Sequence, residues 1–254
     1  MSATLSRVRF LGLPLDLLDM DATVAAVEAR VERGAPGAHL GINAANLVAA
    51  HDDPAYRSDL EAADLITADG QSVVWGARLF GLAVPERVTG IDLMERLLEA
   101  ARRRNWGVYL LGARAEVVDR LAQQLAERDI RVDGHRDGYF APDEGGAVAA
   151  AVRASGASLL FVGMPSPAKE RFIVHDARRA GIPFSIGVGG SFDVLAGELR
   201  RAPRLVQRIG LEWLFRLLQE PGRLFRRYAV TNTRFVWLLV RAAVRRRPRI
   251  GRWT

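Results

Sequence analysis

The chain has 254 residues, 49% of them hydrophobic and 26% charged, which is the composition of a globular protein with one large core or two small ones. It contains no cysteine, so disulfides and thiolate metal sites are excluded. The net charge of +7 belongs to the tail, because positions 221–254 hold ten arginines and no acidic residue, whereas positions 1–220 hold 26 basic and 29 acidic residues. A tail this basic favours polyanionic partners, either phosphate-bearing lipid headgroups or nucleic acid.

The sequence carries no recognisable targeting segment. Its first residues lack the long apolar stretch of a signal peptide, and acidic residues appear by position 21. No run of 18 uncharged apolar residues occurs, so no ordinary membrane span is expected. We therefore expect a cytoplasmic protein.

Short apolar runs alternate with amphipathic helical patterns along the first 190 residues or so. The predicted strands are Val8–Leu13, Ala38–Ile42, Leu65–Thr67, Gly107–Leu111, Ile130–Val132, Ser158–Gly163 and Pro183–Val188. The predicted helices are Asp21–Arg33, Ala45–Ala63 with a break near Pro54, Glu116–Arg128, Gly145–Ser155 and Ser166–Ala180. This alternation predicts an α/β fold whose mostly parallel sheet has helices on both faces. Such sheets bind ligands at the loops beyond the carboxyl ends of their strands.

The pattern changes after Gly197, and from Arg204 onward only helices are predicted, over Leu205–Leu218 and Arg223–Arg247. We therefore predict a body over 1–200 and a basic helical appendage over 201–254. The second helix interleaves apolar side chains with arginines, as helices in a bilayer interface do. Each basic residue near an anionic surface contributes about 1 kcal/mol, so ten would anchor the protein reversibly.

Three other interpretations of this appendage stay open. It can pack against the body with a solvated charged face, or against a second copy of the chain in a homo-oligomer. It can also bind nucleic acid, although the sequence contains no recognised nucleic-acid-binding module.

Three polar residues stand where a parallel sheet binds its ligands. Asp69 lies between a short strand and a predicted helix, where it can accept a proton from a substrate hydroxyl or cap the helix; residue type alone favours capping. Asn43 directly follows a strand and is either a ligand group or a cap. Arg87 lies in the irregular segment 85–90, where it can clamp a phosphate or pair with Glu86 or another neighbour.

A glycine-rich run, Gly187-Val-Gly-Gly-Ser-Phe-Asp193, follows the last predicted strand. It lacks the third glycine of a dinucleotide fingerprint, so it is a weak one, but its backbone allows a ligand to come close. The four histidines share no metal-ligand spacing, so no metal is expected. Ser191 lacks the context of a nucleophile elbow, so a hydrolase triad has no support.

Taken in order, these segments resemble the WecG/TagA/CpsF glycosyltransferases, glycosyltransferase family 26, from about Phe10 to Tyr228. The resemblance rests on the Asn43 segment and on the runs Ala63-Asp-Leu-Ile-Thr-Ala-Asp-Gly70, Pro85-Glu-Arg-Val-Thr-Gly-Ile-Asp92, Tyr109-Leu-Leu-Gly-Ala113, Asp137-Gly-Tyr-Phe140, Gly187–Asp193, Ala196-Gly197, Arg201-Ala-Pro203, Gly210-Leu-Glu-Trp-Leu-Phe-Arg-Leu217, Pro221-Gly-Arg223 and Arg226. Each run is modest alone, but all of them occur in the family's order and spacing.

The resemblance implies an inverting, metal-independent enzyme with a Rossmann-like body and no cofactor. Such enzymes transfer a sugar from a UDP-sugar to a glycan on a polyprenyl diphosphate, for surface polysaccharides or wall polymers. The appendage would meet the inner face of the bacterial cytoplasmic membrane and complete the active site. The family's functional positions fall on Asp69 as the acidic catalytic residue, on Asn43, Arg87 and Asp193 as nucleotide contacts, and on Arg216, Arg223 and Arg226 as appendage arginines that reach a diphosphate.

Two positions depart from the family pattern. Gly41, which we place with the nucleotide-sugar-binding positions, stands where a threonine is usual. Lys169, the only lysine, stands where a glutamine is expected to face the substrate, and we place it with the catalytic positions. An ammonium cannot accept a hydrogen bond, whereas a carboxamide both donates and accepts. We therefore expect a sugar other than the N-acetylmannosamine that some relatives transfer, and we expect Lys169 to meet an anionic sugar or the diphosphate.

Two classes of function remain as alternatives to the transferase. One is a nucleotide-binding oxidoreductase or epimerase on the same fold, against which the incomplete glycine fingerprint counts. The other is a non-enzymatic module that binds membranes or nucleic acid through the arginine-rich tail.

Overall fold

A computed structural model describes residues 6–208, 210–219, 221–245 and 251–252. The strands are β1 (Arg7–Phe10), β2 (Leu13–Asp16), β3 (Gly37–Ile42), β4 (Leu65–Ala68), β5 (Val108–Gly112), β6 (Val132–Arg136), β7 (Leu159–Gly163), β8 (Phe184–Gly187) and β9 (Gly251–Arg252). The helices are α1 (Met20–Glu32), α2 (Ala44–Asp52), α3 (Pro54–Glu61), α4 (Gln71–Leu79), α5 (Gly90–Arg104), α6 (Ala115–Ala126), α7 (Gly145–Ala154), α8 (Ala168–Arg171), α9 (Ser191–Leu195), α10 (Arg204–Arg208), α11 (Glu212–Gln219) and α12 (Pro221–Arg245).

The main sheet has six strands in the order β4-β3-β8-β7-β5-β6, and every neighbouring pair is parallel. Strands β4, β5 and β8 are buried along their whole length, which explains why they are apolar runs rather than alternating patterns. The predicted Rossmann-like α/β fold with a parallel sheet is confirmed.

Two hydrophobic cores lie on the opposite faces of this sheet. One joins β1, β2, α2, α3, α4 and α7 to the sheet, and the other joins α1, α5, α6 and α9 to it. Helices therefore cover both faces, as predicted. Phe235 and Leu238 of α12 are buried in the first core, so this part of the predicted appendage packs on the body. The division near residue 200 stays a prediction.

The first predicted strand, Val8–Leu13, is wrong, because this run forms the antiparallel pair β1 and β2. Leu11 and Gly12 turn the chain between them with φ values of 48° and 95°. β9 pairs with β1, so the three strands form a separate sheet in the order β2-β1-β9. β9 also corrects the expectation that no strand follows Arg204. Strands of two to four residues are too short for an apolar pattern to reveal.

Three further boundaries differ from the predictions. The helix predicted over Leu205–Leu218 is two helices, α10 and α11, with Gly210 in the turn between them. The strand predicted at Ile130–Val132 is β6, which begins at Val132 and continues through polar residues, as an edge strand with one neighbour can. The helix predicted over Ser166–Ala180 begins at Ala168 and continues after α8 as a π-helical turn over Phe172–Ala177. Positions 246 and 247 of the last predicted helix lie outside the described residues.

Ion pairs close the amino-terminal edge of the main sheet. Asp16 accepts hydrogen bonds from Arg7 Nε at 2.7 Å and from the backbone N–H of Ile66 at 2.7 Å. The hydrogen bond to Asp16 is the largest cause that raises the pKa of Arg7. Asp64 accepts from Arg178 Nη2 at 2.6 Å. These carboxylates are held by arginines and backbone amides of the body itself.

Candidate active site

The carboxyl ends of β4, β3 and β8 lie side by side, because these three parallel strands are neighbours in the sheet. Asp69 follows β4, and its backbone N–H donates to the carbonyl of Ile42, the last residue of β3, at 2.9 Å. Asn43 follows that residue, and Val188 follows β8. The structure therefore brings three of the predicted segments to one edge.

Asp69 is not the N-cap residue of the helix that follows it. The N-cap residue of α4 is Gly70, which has no side chain to accept a cap hydrogen bond. Oδ1 of the half-buried Asp69 instead accepts from the backbone N–H of Gly90, the first residue of α5, at 3.4 Å. Since a helix amino terminus favours negative charge, this position suits an ionised carboxylate. The prediction that Asp69 is the N-cap residue of α4 is wrong.

Gly41 leaves the space that the Asp69 side chain occupies. A β-carbon added to Gly41 would lie 2.9 Å from Cβ and 3.7 Å from Oδ2 of Asp69. Two carbon atoms cannot approach to 2.9 Å, so either the backbone or Asp69 would have to move. The Asp69 Cβ is bonded to the backbone, so it cannot move aside as the end of a flexible side chain can. The departure at position 41 thus has a direct structural consequence, because Asp69 lies over this glycine.

Asn43 is the N-cap of α2, so the cap interpretation is confirmed for this residue. Its Oδ1 accepts from the backbone N–H groups of Ala45 at 2.9 Å and Asn46 at 3.3 Å, and Oδ1 of Asn46 accepts from its backbone N–H. A β-carbon on Gly70 would lie 3.1 Å from Cβ of Asn43. The Asn43 side chain therefore stands beside the Asp69–Gly70 loop.

The loop after β8 faces the start of α5. A β-carbon on Gly90 would lie 3.3 Å from both the Cα and the carbonyl oxygen of Val188, so the two backbones nearly touch. Asp193, in α9, is half-buried, and its backbone carbonyl accepts from the N–H groups of Glu198 and Leu199. Asp193 thus follows the last residue of β8 by six positions.

Lys169 is a buried cation with an internal partner. Its Nζ lies 3.2 Å from Oε1 of Glu170, and only 11% of the Lys169 side chain is exposed. Its stem crosses Gly187, the last residue of β8, where an added β-carbon would lie 3.1 Å from Cδ and Cε. Burial, and secondarily the charge of Lys169, lowers the pKa of His39 to about 3, so that imidazole is neutral. Lys169 is therefore near the strand end but engaged with Glu170.

Arg87 makes an ion pair that its sequence neighbours did not reveal. Its Nη1 lies 3.1 Å from Oε2 of Glu212, the first residue of α11, with 14% and 10% of the two side chains exposed. Glu86 accepts instead from the backbone N–H of Met20 at 2.7 Å. The expected local partner is thus replaced by one that is 125 residues away.

Helix α12 also contacts the body, through a second ion pair. Arg234 Nη2 lies 2.6 Å from Oδ1 of Asp52, and the Trp237 ring meets His51 edge-on with centroids 6.2 Å apart. Arg226 is exposed on this helix. The side chains of Arg216 and Arg223 lie outside the part of the structure that is described. The structure thus leaves the convergence of the appendage arginines on Asp69 as a prediction.

Large apolar side chains on the outer surface of α11 and α12 are exposed to solvent. They are Trp213, Leu214, Leu218, Phe225, Val230, Val236, Trp237, Val240 and Val244. No helix among the described residues combines the length and the apolarity needed to cross a bilayer.

Two residues of this edge escaped the sequence reasoning. Thr89 caps α5 by accepting from the Asp92 N–H at 3.2 Å. This cap fixes the start of the helix, and therefore the position of the Gly90 N–H that donates to Asp69. A threonine three residues before an acid was the available signal. Glu212 could have been noticed because only two acidic residues follow position 198, so an acid there stands out in a basic segment.

At this edge a half-buried carboxylate lies just beyond the parallel strands, where α/β sheets bind their ligands, and the turn into the basic helical segment packs against the helix that follows that carboxylate. Within the described ranges, no three histidine, aspartate or glutamate side chains are placed to hold a metal ion. The family model described as "Glycosyl transferase WecG/TagA/CpsF family" matches residues 8–249, so the chain belongs to that family. It is a glycosyltransferase of cell-surface polymer biosynthesis, which decides against the oxidoreductase, epimerase and non-enzymatic alternatives.

Proposed function

We propose that this chain is an inverting glycosyltransferase that moves a sugar from a UDP-sugar to a glycan on a polyprenyl diphosphate. The observation that supports it most is the place of Asp69, which directly follows β4 at the carboxyl edge of the sheet and turns its carboxylate to the amino terminus of α5. Family membership supplies the reaction class.

In the proposed reaction, the acceptor hydroxyl attacks C1 of the donor sugar while Asp69 accepts its proton. The bond between C1 and the diphosphate oxygen breaks, and its electron pair leaves with UDP. A single displacement of this kind inverts the anomeric centre. The Gly90 N–H helps to orient the Asp69 carboxylate before the proton moves.

The departing diphosphate needs positive charge in place of a metal ion. We assign this role to Arg87 at the sheet edge and to the appendage arginines Arg216, Arg223 and Arg226. A guanidinium donates two parallel hydrogen bonds to phosphate oxygens, and preorganised cations are worth most where charge develops. Arg226 is exposed and Arg87 is fixed by Glu212, so both can present N–H groups to a ligand.

Asn43 and Asp193, which we assign to nucleotide binding, come after β3 and β8 in the chain. The Asn43 carboxamide nitrogen is a donor suited to a phosphate or ribose oxygen, and the half-buried Asp193 carboxylate is an acceptor suited to a base N–H or a ribose hydroxyl. Gly41 leaves room beneath Asp69. We further propose that Lys169 supplies a cation to an anionic donor sugar or to the diphosphate, because its stem lies at the carboxyl end of β8.

The proposed place of action is the inner face of the bacterial cytoplasmic membrane. The exposed apolar side chains of α11 and α12, interleaved with arginines, suit either an anionic lipid surface or a second copy of the chain. Co-sedimentation with vesicles containing anionic lipid, at increasing salt, tests the first; the mass of the particle in solution tests the second. Binding that persists unchanged in vesicles of neutral lipid would contradict the electrostatic part.

The direct test of the function is UDP release from a panel of UDP-sugars with a short polyprenyl-diphosphate acceptor. We expect one donor to be turned over in the presence of the acceptor and without added divalent metal. The product should carry the inverted anomeric configuration, which NMR coupling constants report. No UDP release with any donor, or a retained configuration, would contradict the proposal.

A further inference from the structure

Among the described residues, the Arg87–Glu212 pair is more buried than the other ion pairs that join the body to the appendage, including those of Arg201 with Asp92 and Glu95, whose side chains are 25–43% exposed. It is largely buried, whereas both side chains of the Asp52–Arg234 pair are 45% exposed. An exposed pair contributes little, because solvent and salt screen it. A buried pair that loses one partner leaves a charge without compensation, so the contact specifies geometry strongly. Glu212 is therefore suited to fix α11 in one position.

A second contact, which does not involve charge, fixes the position of the amino-terminal end of α11. A β-carbon on Gly210 would lie 2.5 Å from Cγ of Gln71 and 3.3 Å from the Trp75 ring. Gln71 is the first residue of α4, two positions after Asp69. Gly210 also has a positive φ of 77°, a conformation that glycine adopts without strain. The turn into α11 thus lies directly on the helix that leads away from Asp69.

We propose that Glu212 is a positioning residue that acts through Arg87. It fixes the Arg87 guanidinium at the sheet edge, and it places α11, and with it the appendage, beside the start of α4, two positions after Asp69. Nη1 of Arg87 donates to Glu212, and the other N–H donors of that guanidinium are the ones that the proposed function assigns to the diphosphate. This rests on the proposed function for its consequence in catalysis, but the docking itself is measurable without a substrate.

The chain lacks cysteine, so two introduced cysteines can carry nitroxide labels at defined sites. We suggest exposed positions on rigid helices, Ala150→Cys on α7 and Leu218→Cys on α11. In the full chain, dipolar spectroscopy should give one narrow distance distribution. With Glu212→Ala added, we expect it to broaden and shift by several ångströms. An unchanged distribution would overturn the proposal.

Two matched variants separate pairing from general damage. Asp52→Ala removes the exposed pair to the same appendage and should leave the distribution unchanged. The charge swap Arg87→Glu with Glu212→Arg should restore a narrow distribution. If Asp52→Ala broadens the distribution as much as Glu212→Ala, or if the swap stays as broad as Glu212→Ala, the Arg87–Glu212 pair is not what fixes α11.

The catalytic consequence is a second readout. Because small displacements of catalytic groups cost about 10- to 100-fold in rate, Glu212→Ala should lower kcat by that order while the KM for the donor changes less. The swap cannot restore the rate, since it removes the Arg87 guanidinium from the diphosphate. Unaltered kcat in Glu212→Ala would refute the positioning role. A parent chain that transfers no sugar would refute the proposed function and leave the distance result standing.

Discussion

The two edges of the main sheet use carboxylates in different ways. At the amino-terminal edge, Asp16 and Asp64 are held by arginines of the body. At the carboxyl edge, Asp69 lies over a glycine and accepts from the first N–H of a helix. The first arrangement stabilises the fold, since each acid has a fixed cationic partner. The second holds the acid against a backbone amide at the edge where such sheets bind ligands, as the proposed proton transfer requires.

The largest effect should come from the amino-terminal edge. Asp16 is 1% exposed and accepts from both Arg7 and a backbone amide. Asp16→Ala leaves the Arg7 guanidinium without its main partner, so we expect the free energy of unfolding to fall by about 3–5 kcal/mol. Urea denaturation followed by circular dichroism measures it. The exposed Asp21, which pairs with Arg96, is the control, and Asp21→Ala should cost about 0–1 kcal/mol.

The carboxyl edge should respond in activity rather than in stability. Asp69→Asn keeps the size of the side chain but removes the proton acceptor, so we expect transfer to fall by about two orders of magnitude or more. The midpoint of urea unfolding and the affinity for UDP should stay close to the parent values. Turnover near the parent rate would remove Asp69 from the proposed mechanism, whatever the fate of the fold.

Between the two edges lies His39, whose pKa burial lowers to about 3. In the unfolded chain the His39 imidazole has a pKa near 6.5. Between about pH 6.5 and pH 3 the unfolded state therefore binds a proton that the folded state does not. The contribution of His39 to the free energy of unfolding must then fall as the pH falls through this range. The loss due to His39 should approach about 1.4 kcal/mol per pH unit below about pH 6. Comparing unfolding of the parent and His39→Gln from pH 7 to pH 4 tests this. Equal slopes would show that His39 does not titrate on unfolding.

Gly41 offers a finer test of the Asp69 position. Gly41→Ala places a β-carbon 2.9 Å from Cβ of Asp69 and must displace that side chain. We expect transfer to fall about tenfold, since displacements of ångström size are costly for a reacting group. Gly146→Ala is the control, because a β-carbon at Gly146 meets nothing within 4 Å. Equal rates for both alanine variants would show that Asp69 tolerates the shift.

The smallest expected effect concerns donor choice. Lys169→Gln introduces the residue usual in the family and removes the cation beside Glu170. We expect the ratio of kcat/KM between anionic and neutral UDP-sugars to fall several-fold, with a smaller change in the best rate. Lys169→Met, which keeps the apolar stem over Gly187, separates loss of charge from loss of packing. Unchanged donor choice and rate in Lys169→Gln would show that Lys169 does not meet the substrate.

The sequence predicted the features that are local in the chain. The parallel sheet and the polar residues at its edge follow from alternating apolar runs, because each strand and its following loop are contiguous. The Arg87–Glu212 pair and the pairing of β9 with β1 could not be predicted, since they join residues far apart and leave no periodic trace. Residue type alone favoured Asp69 as a cap for a similar reason, because capping is a local preference, whereas the Gly90 N–H that donates to Asp69 is 21 residues away.

The cap at Asn43 has a consequence for the entropy of binding. Its carboxamide oxygen is committed to two backbone amides of α2, so the planar group cannot rotate without uncapping that helix. The nitrogen at the other end of the same plane is therefore a preorganised donor, whose orientation was already fixed when the helix formed. A ligand that accepts from it would meet a group with little rotational freedom left to lose.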